Sequence, residues 1–265
     1  MKYILLYIAL ISYSFQSHAS DSLVLFKSLP VKARLISSDP LGNIYVVKDN
    51  NTLLRFNNDG DSLGTFNEIK KGKISQIDAS NPLRVLLFFS DYNQIVVLNN
   101  MLTQKNVIRL NTAGFNNTNC IANSADGNFW LYDAGQGALI KSDEQLNIKQ
   151  NTNLRNFDQN PSNAIYMIES DRSVYISDSV EGIRKFDQFG FYVNTYHLSA
   201  NQFQLINGQL IYLSLPYLNA YNTNSFAEKK LLLPSPSDIL NVRLERNRLF
   251  ILRHDKIDIY TMNEY

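Results

Sequence analysis

Short apolar runs that each end at an aspartate recur along the chain at a nearly constant interval. Four of them occupy residues 45–49, 87–91, 130–133 and 175–178. Their final aspartates stand 42, 42 and 45 residues apart, and a fifth run at 250–255 ends 77 residues later, two further periods on. A degenerate copy at 210–213 fits the gap. The pattern predicts six copies of one unit, and its aspartates are Asp49, Asp91, Asp133, Asp178 and Asp255.

A second short run follows each aspartate, at 53–56, 95–98, 183–186, 217–221 and 257–260, with a weaker copy at 138–142. In four units another apolar residue lies 12 positions after the end of that run; these residues are Leu110, Leu154, Leu198 and Leu233. Polar turn clusters separate the runs, and no segment has a long apolar period of 3.6 residues. Each unit therefore predicts four short antiparallel strands, with few helices.

Six such units predict an all-β fold, a six-bladed β-propeller. A four-stranded sheet has two apolar faces, and radial stacking of sheets covers both while protecting their long edges. The last unit lacks an outermost strand, whereas the N-terminal segment holds a spare apolar run at residues 23–26. We expect this run to pair with residues 256–262 and to close the ring by hydrogen bonds between its two ends.

The first 19 residues have the pattern of a secretory signal peptide. Lys2 precedes an apolar stretch at residues 3–12, and Ser17 and Ala19 supply the small residues of a cleavage site before Ser20. The alternative is a retained membrane anchor, but the stretch is shorter than the ~20 residues that a spanning helix needs. We expect residues 20–265 to form one propeller domain that is exported, periplasmic or extracellular, and not inserted in the membrane.

The amino-acid composition limits the classes of partner that the protein can be expected to bind. Hydrophobic residues make up 45% of the chain, charged residues 18%, and the net charge is +1. This balance suits a packed core and lacks the basic surface that nucleic acid requires, so no nucleic-acid partner is expected. Cys120 is the only cysteine, which excludes an intramolecular disulfide, and its apolar neighbours predict a buried side chain.

Two of the units resemble NHL-type propeller repeats of the TolB-like superfamily. The resemblance lies in residues 42–49 with 54–60, and again in residues 174–190. Trp130 is not followed by aspartate, so the signature of WD40 repeats is missing, as are the paired glycines of kelch repeats. The resemblance implies a six-bladed ring, and enzymes on similar rings hold Ca²⁺ or Zn²⁺ in the central channel. The motif is specific for the fold rather than for an activity.

The recurring aspartates permit two readings, because the loop after the second strand faces the same rim in every blade. Their carboxylates either converge to hold a cationic partner or Ca²⁺, or each caps its own turn. A convergent cluster would suit a metal-dependent hydrolase or lactonase-like enzyme. Zinc is harder to hold, since only His197, His254 and Cys120 follow the leader. Common hydrolase and nucleotide signatures are absent from the sequence, so we expect no catalytic residue and no bound cofactor.

Exposed aromatic side chains are the other candidates for a binding surface. Tyr217 follows a proline, and Phe189 and Phe191 flank the glycine of a turn. Exposed aromatics are typical of protein interfaces, although a glycan-binding module is an alternative. The Asn-, Ser-, Ile-, Lys- and Tyr-rich composition resembles that of exported Bacteroidota proteins, whose propellers include accessory subunits of the type 9 outer-membrane translocon. The sequence thus favours a non-catalytic binding scaffold with a protein partner in the cell envelope, an outer-membrane secretion translocon being one candidate.

Overall fold

The computed structural model describes residues 23–67, 72–155, 161 and 163–262. The signal peptide predicted for residues 1–19 lies outside them. Six four-stranded antiparallel sheets follow one another around a ring, as predicted. We number these sheets blades 1 to 6 in chain order, from the innermost strand outward.

The strands of the first three blades are β2 (Ala33–Ser38), β3 (Ile44–Lys48), β4 (Thr52–Phe56) and β5 (Ser62–Asn67); β6 (Gln76–Asp78), β7 (Val85–Phe89), β8 (Gln94–Leu98) and β9 (Gln104–Arg109); and β10 (Thr118–Asn123), β11 (Phe129–Asp133), β12 (Ala138–Ser142) and β13 (Ile148–Asn153). The strands of the last three are β14 (Ala164–Ser170), β15 (Ser173–Asp178), β16 (Gly182–Asp187) and β17 (Tyr192–Tyr196); β18 (Phe203–Ile206), β19 (Gln209–Ser214), β20 (Tyr217–Asn222) and β21 (Glu228–Leu232); and β22 (Ile239–Glu245), β23 (Arg248–Arg253), β24 (Ile257–Met262) and β1 (Leu23–Leu29). In the described ranges, helix is limited to three short 3₁₀ segments, Ser90–Tyr92, Leu110–Ala113 and Pro236–Asp238.

The apolar runs of the sequence are the middle strands of the blades. Every residue of β7 and of β11 is buried, because both faces of these strands pack against neighbouring blades. Six apolar clusters fill the spaces between adjacent blades; one of them joins Val47 of blade 1 to Leu87 of blade 2. Cys120 is fully buried in another of these clusters, as predicted. The core is therefore a ring of interfaces rather than a single centre.

The constant 12-residue spacing has a hydrogen-bonding cause. The backbone N–H of Leu110 donates to the carbonyl of Asn93 at 3.0 Å, and that of Leu154 donates to Gly137 at 2.7 Å. Leu233 makes the same bond to Pro216 at 3.0 Å. In these three blades the bond ties the end of the fourth strand to the turn that begins the third, and the leucine side chain is buried. Leu198 in blade 4 differs, because its N–H donates to the carbonyl of Tyr196 at 2.8 Å and its side chain is only half-buried.

The ring closes between its two ends as predicted. β1 pairs antiparallel with β24 from Leu23 opposite Met262 to Leu29 opposite Ile257, with a bulge between Leu25 and Lys27. The strand runs three residues beyond the segment 23–26 expected from the sequence. Blade 6 thus takes three strands from the C-terminal end of the chain and its outermost strand from the N-terminal part.

Glycine is required where two strands approach closely. Gly182 begins β16 with a φ of +104°, and a Cβ there would collide with the carbonyl oxygen of Tyr196 on the adjoining strand. Both the backbone angle and the space exclude a larger residue.

Helices of the described part are all too short to cross a membrane.

Deleting residues 20–28 removes most of β1 and exposes the apolar edge of β24. We expect the Tm, measured by calorimetry, to fall by more than about 10 °C, because each ~1 kcal/mol lost lowers the Tm of a chain of this size by about 2–4 °C. A matched control deletes residues 263–265, which follow the end of β24. Equal melting temperatures for the two deletions would contradict closure through β1.

Candidate binding surfaces

The candidate residues divide between the two faces of the ring. In an antiparallel meander, the turn between the second and third strands and the connection to the next blade lie at one end, and the other two turns lie at the opposite end. The aspartates that end the second strands, with Tyr217, therefore mark one face, which we name the aspartate face. Phe189 and Phe191 connect a third strand to a fourth and lie on the opposite face.

Two of the aspartates are buried and cap the backbone. Asp133 accepts the N–H of Gln136 at 2.9 Å and that of Asn117 at 3.1 Å. Asp178 does the same with Val180 at 2.9 Å and Asn163 at 3.0 Å. Each carboxylate thus joins its own turn to the segment that enters the first strand of the same blade. The geometry is that of the turn-capping alternative.

Asp178 also forms an ion pair. Its Oδ2 lies 3.1 Å from Nη1 of Arg184, and both side chains are buried. Burial alone would raise the pKa of Asp178, but the N–H donors of its turn and the Arg184 charge outweigh burial and lower that pKa. A buried carboxylate with this many donors is held as the anion.

The remaining three aspartates are exposed on the same face. Asp49 lies 3.3 Å from the ammonium group of Lys32, and Asp91 accepts the N–H of Lys73 at 3.2 Å. Asp255 lies in the turn between β23 and β24, beside the exposed His254. Within the described ranges, no group of three or more His, Cys, Asp or Glu side chains is placed to hold a metal ion.

Tyr217 begins β20 directly after the cis Leu215–Pro216 bond and is 38% exposed. The neighbouring Leu215 is also exposed. Together they form a small apolar projection on the aspartate face. His197 follows the outermost strand of blade 4 and is exposed on the same face, with its Nδ1 3.3 Å from the carbonyl oxygen of Glu181.

The turn between β16 and β17 presents aromatic rings to solvent. Oδ1 of Asp187 accepts the N–H of Phe189 at 2.8 Å and that of Phe191 at 2.9 Å, which fixes the backbone of the turn. Phe189 is 53% exposed, Phe191 64% and Tyr192 39%. An ordered turn that holds large apolar side chains in water is unusual unless something covers them.

A groove separates this aromatic turn from the outermost strand of blade 3. Its volume is about 760 Å³, and β13 forms the facing wall with Gln150, Asn151, Thr152 and Asn153. The hydroxyl of Thr152 donates to the carbonyl of Phe189 at 3.4 Å. We name this feature the aromatic groove, lined by residues 150–154 with Phe189, Phe191 and Tyr192. No charged side chain lines it.

The central channel is crossed by polar side chains. Gln76 of blade 2 donates from Nε2 to the carbonyls of Ile121 in blade 3, at 2.7 Å, and Met167 in blade 4, at 3.3 Å. Arg243 of blade 6 reaches the hydroxyl of Tyr166 at 3.4 Å. These residues lie on the first strands, so the inner strands are joined through side chains across the channel.

One mouth of the channel contains carboxylates from alternate blades. Asp78, Glu169 and Glu245 line a cavity of about 420 Å³ there. Oε1 of Glu245 accepts hydrogen bonds from Ser38 at 2.6 Å and Gln204 at 3.0 Å. Burial, together with the nearby Asp39, raises the pKa of Glu245 to about 7.

These channel residues were not predicted from the sequence, although it contains a weak signal of them. The first strands of blades 2 and 6 alternate polar and apolar positions just before a turn, in Gln76, Ile77 and Asp78 and in Arg243, Leu244 and Glu245. Such short alternations are common in surface strands. Only the placement of first strands around an axis gives them a shared direction.

Replacing Asp178 with alanine should lower the free energy of unfolding in urea by about 3 kcal/mol or more, since Arg184 would remain buried without its partner. Replacing the exposed Asp49 in the same way should cost less than about 0.5 kcal/mol. Similar losses in both variants would disprove the division between capping and exposed aspartates.

Replacing Glu245 with glutamine should remove a pH dependence. A raised pKa makes the carboxyl's contribution to stability complete below its ordinary value of 4.5, and that contribution is lost as pH rises toward about 7. Glutamine still accepts from Ser38 but cannot ionise. In urea denaturation we expect E245Q to match the parent at pH 4 and to exceed it at pH 8 by about 2 kcal/mol.

The exposed replacement Glu181→Gln serves as its control, and its stability should follow the parent at both pH values. An E245Q difference that stays constant between pH 4 and pH 8 would show that Glu245 does not titrate in this window.

The similarity of this chain to known proteins lies in its fold. No protein-family model matches the chain, and no curated protein sequence matches it. Among solved structures, a streptogramin B lyase is similar with a TM-score of 0.64 and 12% identity, over 91% of this chain and 98% of that one. The WD40 domain of Neurospora crassa Pan2 is similar with a TM-score of 0.62 and 8% identity, over 93% and 97%.

A third similar structure is PorZ, a surface component of the type-IX secretion system of Porphyromonas gingivalis. Its TM-score is 0.53 at 12% identity, and the match covers 91% of this chain but 39% of PorZ. At these identities the three likenesses show the β-propeller fold alone, which is shared by proteins that differ in function.

Proposed function

We propose that this chain is an exported, non-catalytic binding propeller that engages a protein partner in the cell envelope through the aromatic groove on its outer rim. One observation carries the proposal: a hydrogen-bonded turn holds Phe189, Phe191 and Tyr192 in solvent beside an uncharged groove. Rigid, exposed aromatic rings are the side chains that contribute most at protein interfaces, because covering them releases water at a small entropic cost.

The wall opposite the rings favours a protein partner over a sugar. β13 is the outermost strand of blade 3, so one of its edges has no neighbour within the sheet. Its backbone groups can accept an extended segment of a partner as an added strand. The next residue of β17, Val193, is 50% exposed and offers no hydrogen bond to a hydroxyl-rich ligand.

Export and an envelope location rest on the predicted signal peptide at residues 1–19. The fold-level likeness to PorZ gives further support, since that protein is a surface component of a secretion system. An outer-membrane secretion translocon is therefore a specific candidate partner. The alternative, a metal-dependent hydrolase or lactonase-like enzyme, would need oxygen ligands that converge on one metal ion.

A photo-crosslinking amino acid at position 191 should capture one partner in cells that produce the protein at its natural level. The matched control carries the same amino acid at Leu63, which is similarly exposed at 47% on the outermost strand of blade 1. With the captured partner purified, Phe191→Ala should weaken binding about tenfold or more, or about 1.4 kcal/mol. The Tm should stay unchanged, because the ring is exposed.

Identical crosslinks from positions 191 and 63 would contradict the proposal, as would unchanged affinity in Phe191→Ala. A glycan array provides the alternative outcome. Glycan binding by the exported chain that is lost in Phe191→Ala would assign the aromatic groove to a sugar instead of a protein.

A further inference from the structure

Another cavity lies between blades 5 and 6, away from the aromatic groove. Its volume is about 240 Å³, larger than the ~150 Å³ apolar cavity that suffices to hold benzene. It opens beside the turns that join the first and second strands of these two blades. The apolar part of its lining consists of Ile206, Ile211, Leu218, Ala220, Leu231 and Leu244.

The cavity has its origin in the degenerate repeat. On the face toward the next blade, blade 5 pairs Ile211 with Ala220, where blade 2 pairs Leu86 with Val97. The alanine lacks the volume that valine supplies. The third strand of blade 3 is buried along its whole length, whereas half of β20 is only partly buried. An apolar space therefore remains where other blades are filled.

Cations surround the opening of this apolar space. Lys229 and Lys230 come from β21, and Arg246 comes from the turn between β22 and β23. Lys230 also lies 3.1 Å from the carboxylate of Glu228, an exposed pair that leaves the ammonium accessible to solvent. No Asp or Glu lines the cavity. Arg246 adopts a φ of +55°, a backbone region in which glycine and asparagine are preferred.

We propose that this cavity binds a small amphiphilic anion, specifically a medium-chain carboxylate, with its aliphatic tail between blades 5 and 6 and its head group at the three cations. The residues that line the cavity suit both the aliphatic tail and the anionic head group of such a ligand. Burial of a tail against six apolar side chains drives association, and the cations complement a negative head group. This site is independent of the aromatic groove and of the protein partner proposed for it.

Calorimetric titration of the full exported chain with hexanoate, octanoate and octan-1-ol tests the proposal. Each added methylene buried in the cavity should strengthen binding up to about fourfold, so we expect octanoate to bind about tenfold more tightly than hexanoate. Octan-1-ol, which has the same tail and no charge, should bind at least about fivefold more weakly than octanoate. Absence of octanoate binding at millimolar concentration, or equal binding of octan-1-ol, would overturn the proposal.

Substitutions in the lining of the cavity test whether octanoate binds there. Ala220→Ile fills the cavity with a side chain slightly larger than the Val97 that blade 2 has at the equivalent position, and it should abolish octanoate binding without lowering the Tm. Arg246→Gln should weaken octanoate about fivefold and leave octan-1-ol unchanged. The control is Lys105→Gln, which removes an exposed charge on β9 in blade 2, and its affinity should equal that of the parent.

Parent-like octanoate affinity in folded A220I would place the ligand elsewhere and refute the site. Should A220I not fold, R246Q decides alone: an unchanged ratio of octanoate to octan-1-ol affinity in R246Q refutes the assigned head-group position. Crosslinking at position 191 should be the same in A220I as in the parent, which separates failure of this proposal from failure of the protein-binding one.

Discussion

The hydrogen-bonded ladder between β1 and β24 is the constraint on which the remaining structure depends. Blades of a propeller cover one another's faces, so each apolar cluster needs a blade on both sides. An open row would split the cluster between blades 6 and 1 and expose two blade faces. Pairing Leu23 through Leu29 with the last strand removes both open ends at once. The same pairing places residues of the N-terminal part and of the C-terminal end in one cluster, where Leu29 contacts the group that includes Ile257 and Ile259.

Inside the ring the inner strands are joined by side chains rather than by a continuous sheet. The amide of Gln204 behaves like a peptide group, accepting the N–H of Leu244 at 2.8 Å and donating to its carbonyl at 3.1 Å. Gln76 does the same with Ile121 in the next blade. Glutamines at these positions satisfy backbone groups that would otherwise be buried without partners. They also leave the channel polar, while the outer surfaces of the blades carry the exposed apolar residues.

Much of the fold could be predicted from the sequence, because its strongest signals are local. The runs that end at Asp91 or Asp133 are buried middle strands, and their period counts the blades. The degenerate copy at 210–213 belongs to blade 5, in whose strands many residues are only partly buried. The candidate surfaces were harder to predict, since they depend on which face of the ring a turn occupies. Nothing in the sequence indicates that Phe189 and Asp178 lie on different faces of the ring. Nor does the sequence indicate that Thr152 of blade 3 contacts Phe189.

Amide hydrogen exchange followed residue by residue tests the central claim, that the two ends of the domain close one cooperative ring. We expect amides of β1 that are bonded to β24 to exchange only when blade 6 opens, with the same opening free energy as amides of β23 and β24. Exchange of β1 amides within seconds, while β23 and β24 stay protected, would contradict it.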